Sequence, residues 1–419
     1  MTVSTVPPEE KAAAGRPVTL GTYASNYLAK VRGGDMGALP AILGLVVLTI
    51  IFSIARPVFF SATNFANLLS QGAAVTVIAM GLVFVLLLGE IDLSAGFTSG
   101  VCAAVLATLL TTHGFPWYVA ILGAVVTGVV IGLALGTLVA KLGIPSFVVT
   151  LAAFLAFQGT VLLLVKGGTI IAVDDPTIKK INFDGRFTPA QGWILYALTI
   201  AGLLALSLWK RTSRGRKGLA IEPLSVIAVR IGAIAVLMGA AVYVLNLERG
   251  RNALFSQKGV PMVVLLIGLL LMLWTFVLSR TAYGRHIYAV GGNKEAARRA
   301  GINVDAIRIS VFVICSSMAA VGGIILASRQ ASVDPNTGGS NVLLYAVGAA
   351  VIGGTSLFGG KGRVLDAILG GAVVAVIENG MALMQYSAGQ KFIVTGIVLL
   401  AAAGVDALSR RRASAAGLR

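Results

Sequence analysis

Apolar and polar residues in this chain come in long blocks, not in residue-by-residue alternation. Twelve apolar runs can be marked off: 38–55, 65–88, 93–110, 118–140, 144–165, 193–209, 224–247, 260–278, 309–327, 342–352, 365–384 and 392–408. Runs of about 20 apolar residues predict helices that cross a hydrocarbon layer roughly 30 Å thick. A membrane β-barrel would instead alternate lipid-facing and lumen-facing residues. The pattern therefore predicts an all-α fold, a polytopic transmembrane helix bundle of 11–12 segments, with 342–352 as its one short member. Residues 1–37 read as a polar, proline-containing tail and 409–419 as a short basic tail, flanking a membrane domain over 38–408. The first run is too long for the apolar part of a cleavable signal.

Glycines at 128, 132 and 136 share one helix stripe and predict close contact with a neighbouring helix, a packing device that says nothing of substrate. Composition agrees with the pattern: 57% of residues are hydrophobic, 12% are charged and the mean hydropathy is +0.92. Soluble domains carry about twice that charge.

The net charge of +17 would point to nucleic acid if it lay on one folded face. It lies between the apolar runs instead, where it sets orientation. With the N-terminus inside, the inner segments hold 22 Lys and Arg and the outer ones 10, which places both termini in the cytoplasm. The outer stretch around Arg249 and Arg251 is more basic than the rule favours. Cys102 and Cys315 fall inside apolar runs as packing residues, and His113 and His286 have no ligand spacing around them, so no metal site is expected.

Two glycine-rich segments interrupt the pattern, Gly89-Glu90-Ile91-Asp92-Leu93-Ser94-Ala95-Gly96 in the first half and Gly353 to Gly362 in the second. They read either as broken helices along a transport path or as tight turns at a bundle end. Carboxylates at membrane depth are costly and usually functional, which singles out Glu90, Asp92 and Glu378. Ser94, Gln158 and Asn379 join them as candidate path residues. The stretch from Thr355 to Gly362 is not a phosphate-binding loop, since it has Thr where the first Gly belongs and Gly362 where a hydroxyl should hold magnesium. No Ser/His/Asp set points to an enzyme. The chain reads as a path without a motor, and any ATP would be used elsewhere.

The remaining feature is a polar, basic loop over 280–308. Within it Asn293 is placed to cap a short Ala-rich helix, Glu295 lies in its first turn, and Gly301 follows as a stop. A capped, exposed helix suits a docking element.

GEIDLSAG, GRHIYAVGGNKEAARRAGINV and GGTSLFGGKGRVLDAILGG resemble the signature segments of bacterial monosaccharide permeases of the ATP-binding-cassette class, which also resemble branched-chain amino acid permeases. The resemblance runs from about residue 60 to 408. It implies that Gly291, Gly292, Asn293, Glu295, Ala296, Ala297 and Gly301 form a coupling loop seated on a separate ATPase subunit, and that Asp92 and Ser94 lie near the translocation path. Glu90 departs from the Gly usual at its place. Between the basic string Lys210–Lys217 and Arg280 lie two apolar runs, not one, and the extra piece, at about 218–259, resembles the insertion of xylose-type permeases. What the resemblance implies is an inner-membrane permease importing a monosaccharide, D-xylose by this insertion, through alternating access. It would work as a homodimer with two ATPase subunits and a periplasmic or lipid-anchored sugar-binding protein, surrounded by membrane lipid. The alternative is a proton-coupled carrier acting alone, relaying protons through Glu90, Asp92 or Glu378.

Overall fold

The computed structural model describes residue 21 and residues 37–415, apart from 167, 219–220 and 251–255. The expected N-terminal tail, Arg251 and the last four residues lie outside these.

Almost every described residue outside the turns is helical. The elements are α1 (Leu39–Ala55), α2 (Ala62–Leu87), α3 (Ala95–Ala107), α4 (Trp117–Ala140), α5 (Ser146–Leu164), α6 (Pro176–Asn182), α7 (Pro189–Arg216) and α8 (Leu224–Asn246). They continue as α9 (Met262–Arg280), α10 (Ala282–Gly292), α11 (Lys294–Arg299), α12 (Val304–Gln330), α13 (Ser340–Ile352), α14 (Val364–Leu383) and α15 (Ala388–Ala415). Among the described residues nine helices are long and apolar enough to cross a membrane, and α1 and the stretch within α13 are shorter apolar helices. The chain folds as an all-α, multi-pass membrane protein. α13 has 13 residues, a rise of about 20 Å, shorter than the roughly 30 Å of a hydrocarbon core.

The chain divides into two units, one comprising Gly37–Arg186 with Pro261–Leu408, the other containing Phe187–Val260. In the larger unit α12 is the central helix, packed on α2, α3 and α4. The glycine stripe of α4 makes this possible. A Cβ on Gly132 would stand 2.5 Å from the Cα of Val313, and one on Gly136 2.8 Å from the Cα of Ile309. Backbone-to-backbone approach of this kind substitutes dispersion contact for the hydrophobic drive that lipid cannot supply. α14 packs on α2 and on α13, closing the other side of the core.

Three features went beyond the expected pattern. α10 forms a full helix where only a polar loop was expected, started by Thr281, whose side chain accepts from Gly284 N. α6 forms inside the polar 166–190 stretch, with Asp175 as its cap and Pro176 at its first position. Residues 332–333 pair with 171–172 as a two-residue antiparallel bridge, Ile171 opposite Val333. In the smaller unit α7 and α8 pack together, and Tyr196 Oη donates to the Ala235 carbonyl at 3.2 Å.

Candidate functional site: a hub joining three segments

The two glycine segments and the α10–α11 loop meet at one end of the larger unit. α2 ends at Leu87, and the Leu87 carbonyl accepts a hydrogen bond from Gly360 N at 2.8 Å. Gly291 lies against the same carbonyl so closely that a Cβ there would stand 1.9 Å from it. Gly89, at φ +69°, turns the chain beside the Phe358 carbonyl. From the third side Tyr288 Oη donates to the Gly362 carbonyl at 2.7 Å. The glycines thus serve backbone proximity: three chain segments share a junction too narrow for side chains.

Glu90 is the electrostatic centre of this hub. It is 6% exposed. Its Oε1 accepts from Lys294 Nζ at 2.8 Å and from Arg308 Nη2 at 2.8 Å, with Arg308 Nε at 3.1 Å. Burial by itself would raise the Glu90 carboxyl, but the bonds to Lys294 and Ser146 and the two cations outweigh it and hold the group below the usual carboxylate range. Lys294 opens α11 and Arg308 lies in the first turns of α12, so one carboxylate ties the start of α11 and the start of α12 to the first glycine segment.

Beyond Glu90 that segment climbs into the bundle. Asp92 lies beside Cys315, seven residues beyond Arg308 along α12, about 10 Å. Asp92 is fully buried, and its Oδ1 accepts from Ser94 N at 2.8 Å and Ser94 Oγ at 2.6 Å. Its Oδ2 has no hydrogen-bond partner among the described residues. Ile91 N donates to Ser146 Oγ at 3.3 Å, pinning the unwound backbone to the start of α5. Residues 89–94 are unwound backbone between α2 and α3, with Glu90, Asp92 and Ser94 buried and Gly89 and Ile91 exposed. The second segment is instead a turn at the bundle end. There the Arg363 backbone N–H donates to Asp366 Oδ2 at 2.8 Å, and its guanidinium reaches Asp366 Oδ1 at 3.0 Å.

α11 forms as its residues dictate. Asn293 Oδ1 accepts from Ala296 N at 2.9 Å, and Gly301 takes φ +83° to end the turn. The seven expected coupling residues divide by face. Gly292, Asn293, Glu295, Ala296 and Gly301 are exposed, whereas Ala297 is buried in the core and Gly291 is pressed into the hub. Ala297 and Gly291 thus fix the loop to its own chain, and the exposed five remain open to a partner. Lys294, Arg308 and Tyr288 were not singled out from sequence, because their partners lie 204, 218 and 74 residues away.

The other expected path residues are elsewhere. Asn379 is buried on α14 and its Nδ2 donates to Gln71 Oε1 at 3.2 Å, while Glu378 beside it is half-buried near Arg329 and Lys391. Gln158 is exposed on α5. Glu90 belongs to the hub and not to the Glu378–Asn379 neighbourhood. Among the described residues no cluster of three or more His, Cys, Asp or Glu could hold a metal.

The model of the branched-chain amino acid transport system / permease component family matches residues 64–403, which takes in every segment of the hub. The chain belongs to this family. The xylose transport system permease protein of Haemophilus influenzae is 32% identical over 91% of this chain and 99% of its own length. The xylose transport system permease protein of Escherichia coli is 38% identical over 84% of this chain and 87% of its own. The ribose import permease protein of Escherichia coli is 29% identical over 87% and 92%. No solved structure matches the chain significantly. This permease is a transport component, not an enzyme, and in it the hub joins three of the segments that the sequence set apart.

Proposed function

We propose that this permease is the membrane subunit of an ATP-binding-cassette importer that carries a monosaccharide, D-xylose in the first instance, across the inner membrane. The observation that carries the reading is the hub: α11, capped and outward-facing, is bonded through Glu90 to the unwound segment that enters the bundle beside Asp92. A push on α11 is delivered to the unwound segment that leads to the buried Asp92. The sugar is taken from the relatives named for xylose and ribose. The charge asymmetry supports a cytoplasmic hub and two cytoplasmic termini.

In this scheme two copies of the permease pair, two ATPase subunits seat on Gly292, Asn293, Glu295, Ala296 and the neighbouring exposed positions, and a sugar-binding protein delivers substrate from outside. ATP binding closes the ATPases and moves α10–α11, and alternating access follows. The ATPases must favour one permease state by several kcal/mol to drive the switch, about 5.5 kcal/mol for a change from 1:99 to 99:1. α8 falls within the 218–259 stretch that resembles the xylose-type insertion, which supports the choice of D-xylose.

The test is reconstitution in vesicles with and without the ATPase and binding protein. ATP-dependent uptake of D-xylose is the expected result. Uptake by the lone chain driven by a pH gradient would establish the proton-coupled carrier instead. Replacing Glu295 and Ala296 together by bulky residues should abolish ATPase copurification, and unchanged copurification and transport would remove the docking role.

A further inference from the structure

α7 has 28 residues, a rise of about 42 Å against the roughly 30 Å of a hydrocarbon core. Its apolar part ends at Trp209, which is 63% exposed. The last two turns carry Lys210, Arg211, Arg214 and Arg216, and Lys217 follows. The negative end of a helix attracts cations within its last turn, which accounts for Arg214 and Arg216 but not for Lys210.

At the hub the cations are opposed by carboxylates of the same chain: Lys294 and Arg308 meet Glu90, and Arg363 meets Asp366. The end of α7 differs. Glu222, the carboxylate nearest in sequence, is held by Arg230, with nitrogen-oxygen distances of 3.0 and 3.3 Å. Arg211 donates to the Glu222 carbonyl. The side chains of Lys210, Arg214 and Lys217 make no hydrogen bond or ion pair among the described residues, and all three are exposed.

These three share a face. At about 100° per residue, positions 210, 214 and 217 fall within roughly 60° of one another. Leu206, 55% exposed, and Leu203 continue the same stripe back along the apolar part of the helix. Arg211 and Gly215, which meet Glu222 and Ile221, lie roughly 100° further round. One outward face therefore runs from leucine to three unopposed cations without a break. A ligand matching it carries an apolar part and an anion joined at a fixed depth. Free phosphate would meet only exposed cations in water, whose pull is screened within about 8–10 Å. An acyl chain lying on Leu203 and Leu206 holds its own headgroup phosphate at the level where Lys210, Arg214 and Lys217 begin. A zwitterionic headgroup brings an ammonium that opposes them.

We infer that the Lys210–Arg214–Lys217 stripe binds the headgroup phosphate of an anionic phospholipid whose acyl chains lie along Leu203 and Leu206. The inference needs only that α7 spans the membrane, and it stands whatever the transported substrate.

Trp209, one residue from the stripe, supplies the reporter. The full-length permease is reconstituted in phosphatidylcholine bilayers containing the same mole fraction of either brominated phosphatidylglycerol or brominated phosphatidylcholine. The Trp209 signal is the difference between wild type and Trp209→Phe. Severalfold stronger apparent binding of phosphatidylglycerol is expected. Arg214→Gln should lower that preference about fivefold, the effect of one cation at a membrane surface. Arg216→Gln removes the same charge at the same depth from the opposite side of the helix, and should lower it less than about twofold. Lys210→Gln, also exposed, is the second stripe variant and should match Arg214→Gln. Equal quenching by both lipids in the wild type overturns the site. Equal losses in Arg214→Gln and Arg216→Gln overturn it as well, since the preference would then follow net charge and not the stripe. Displacement of brominated phosphatidylglycerol by millimolar sodium phosphate would give the cations to a soluble anion instead.

Discussion

Lys294 Nζ stands 2.8 Å from Glu90 Oε1 across 204 residues of sequence. Arg308 reaches the same oxygen, and its side chain is only 17% exposed against 43% for Lys294. Removing the carboxylate therefore strands one cation that water hardly reaches and one that it does. Glu90→Gln is expected to lower the stability of the detergent-solubilised permease by about 2–3 kcal/mol, most of it from the uncompensated Arg308. A double-mutant cycle with Lys294→Gln should return a smaller coupling, about 0.5–1 kcal/mol, because the half-exposed lysine is screened. Thermal unfolding followed by tryptophan fluorescence measures both. A Glu90→Gln variant as stable as the wild type would show that the hub does not depend on this charge.

The same carboxylate sets an acid dependence. Its folded value is depressed below the ordinary one of 4.5. A depressed folded value means that the stabilisation is fully present above the unfolded value and is lost as pH falls through the folded one. Hub stability attributable to Glu90 should be flat from neutrality down to about pH 5 and decline only below it. Glu90→Gln should flatten that acid limb. Unfolding midpoints at closely spaced pH values, with wild type and variant side by side, read this directly.

Adjacent glycines in the loop have opposite requirements. A Cβ at Gly291 would stand 1.9 Å from the Leu87 carbonyl oxygen, whereas nothing lies within 4 Å of one at Gly292. Gly291→Ala must push α10 away from the end of α2 and is expected to cost about 1–3 kcal/mol. Gly292→Ala, exposed and next to the Asn293 cap, should stay within about 0.5 kcal/mol of wild type. The pair is informative for function as well. Gly291→Ala should reduce transport more than it reduces ATPase copurification, since it loosens the loop from the permease and leaves the outward face in place.

How far such features could be read from sequence depends on whether their causes are local. Asn293, Glu295 and Gly301 specify α11 within the stretch 293–301, and the helix formed where the capping chemistry required. The α4 glycine stripe was legible for the same reason, although the identity of its partner, α12, was not. Asp175-Pro176 carries an equally local start signal for α6, but it sits in a polar stretch where no apolar periodicity drew attention to it. Glu90 stood out in the sequence as a costly carboxylate, but its ion pairs could not be read. Its partners are 204 and 218 residues away, and only the fold brings them together. Ala297 shows the reverse: the family resemblance implied a place in the coupling loop, and its burial against its own chain, beside an exposed Ala296, is a packing outcome that the local sequence does not carry.

The Asn293 cap offers a graded perturbation of α11 alone. Its side chain satisfies Ala296 N at 2.9 Å. Asn293→Ala should destabilise the first turn of α11 by about 1 kcal/mol, and Asn293→Ser should restore most of it. α11 has six residues, so frayed conformations will be populated in the alanine variant. Faster amide exchange across 294–299, with little change in the global unfolding midpoint, is the expected signature. Unaltered exchange would mean that Ala297 burial, and not the cap, holds the helix.

Asp92 separates the two transport mechanisms. Its Oδ1 holds both Ser94 N and Ser94 Oγ, at 2.8 and 2.6 Å, and so fixes the turn from which α3 departs. An asparagine carbonyl can accept the same two bonds, because acceptance by one oxygen does not require the negative charge. Asp92→Asn should therefore retain fold and ATP-driven uptake within a few-fold, whereas Asp92→Leu leaves both Ser94 donors buried without an acceptor, at about 1–3 kcal/mol each. A carrier that relays protons through this carboxylate would behave differently, since asparagine cannot be deprotonated and Asp92→Asn would stop transport as completely as Asp92→Leu. Uptake by both variants in vesicles supplied with ATPase, binding protein and ATP decides between a carboxylate that holds a helix break in shape and one that titrates during transport.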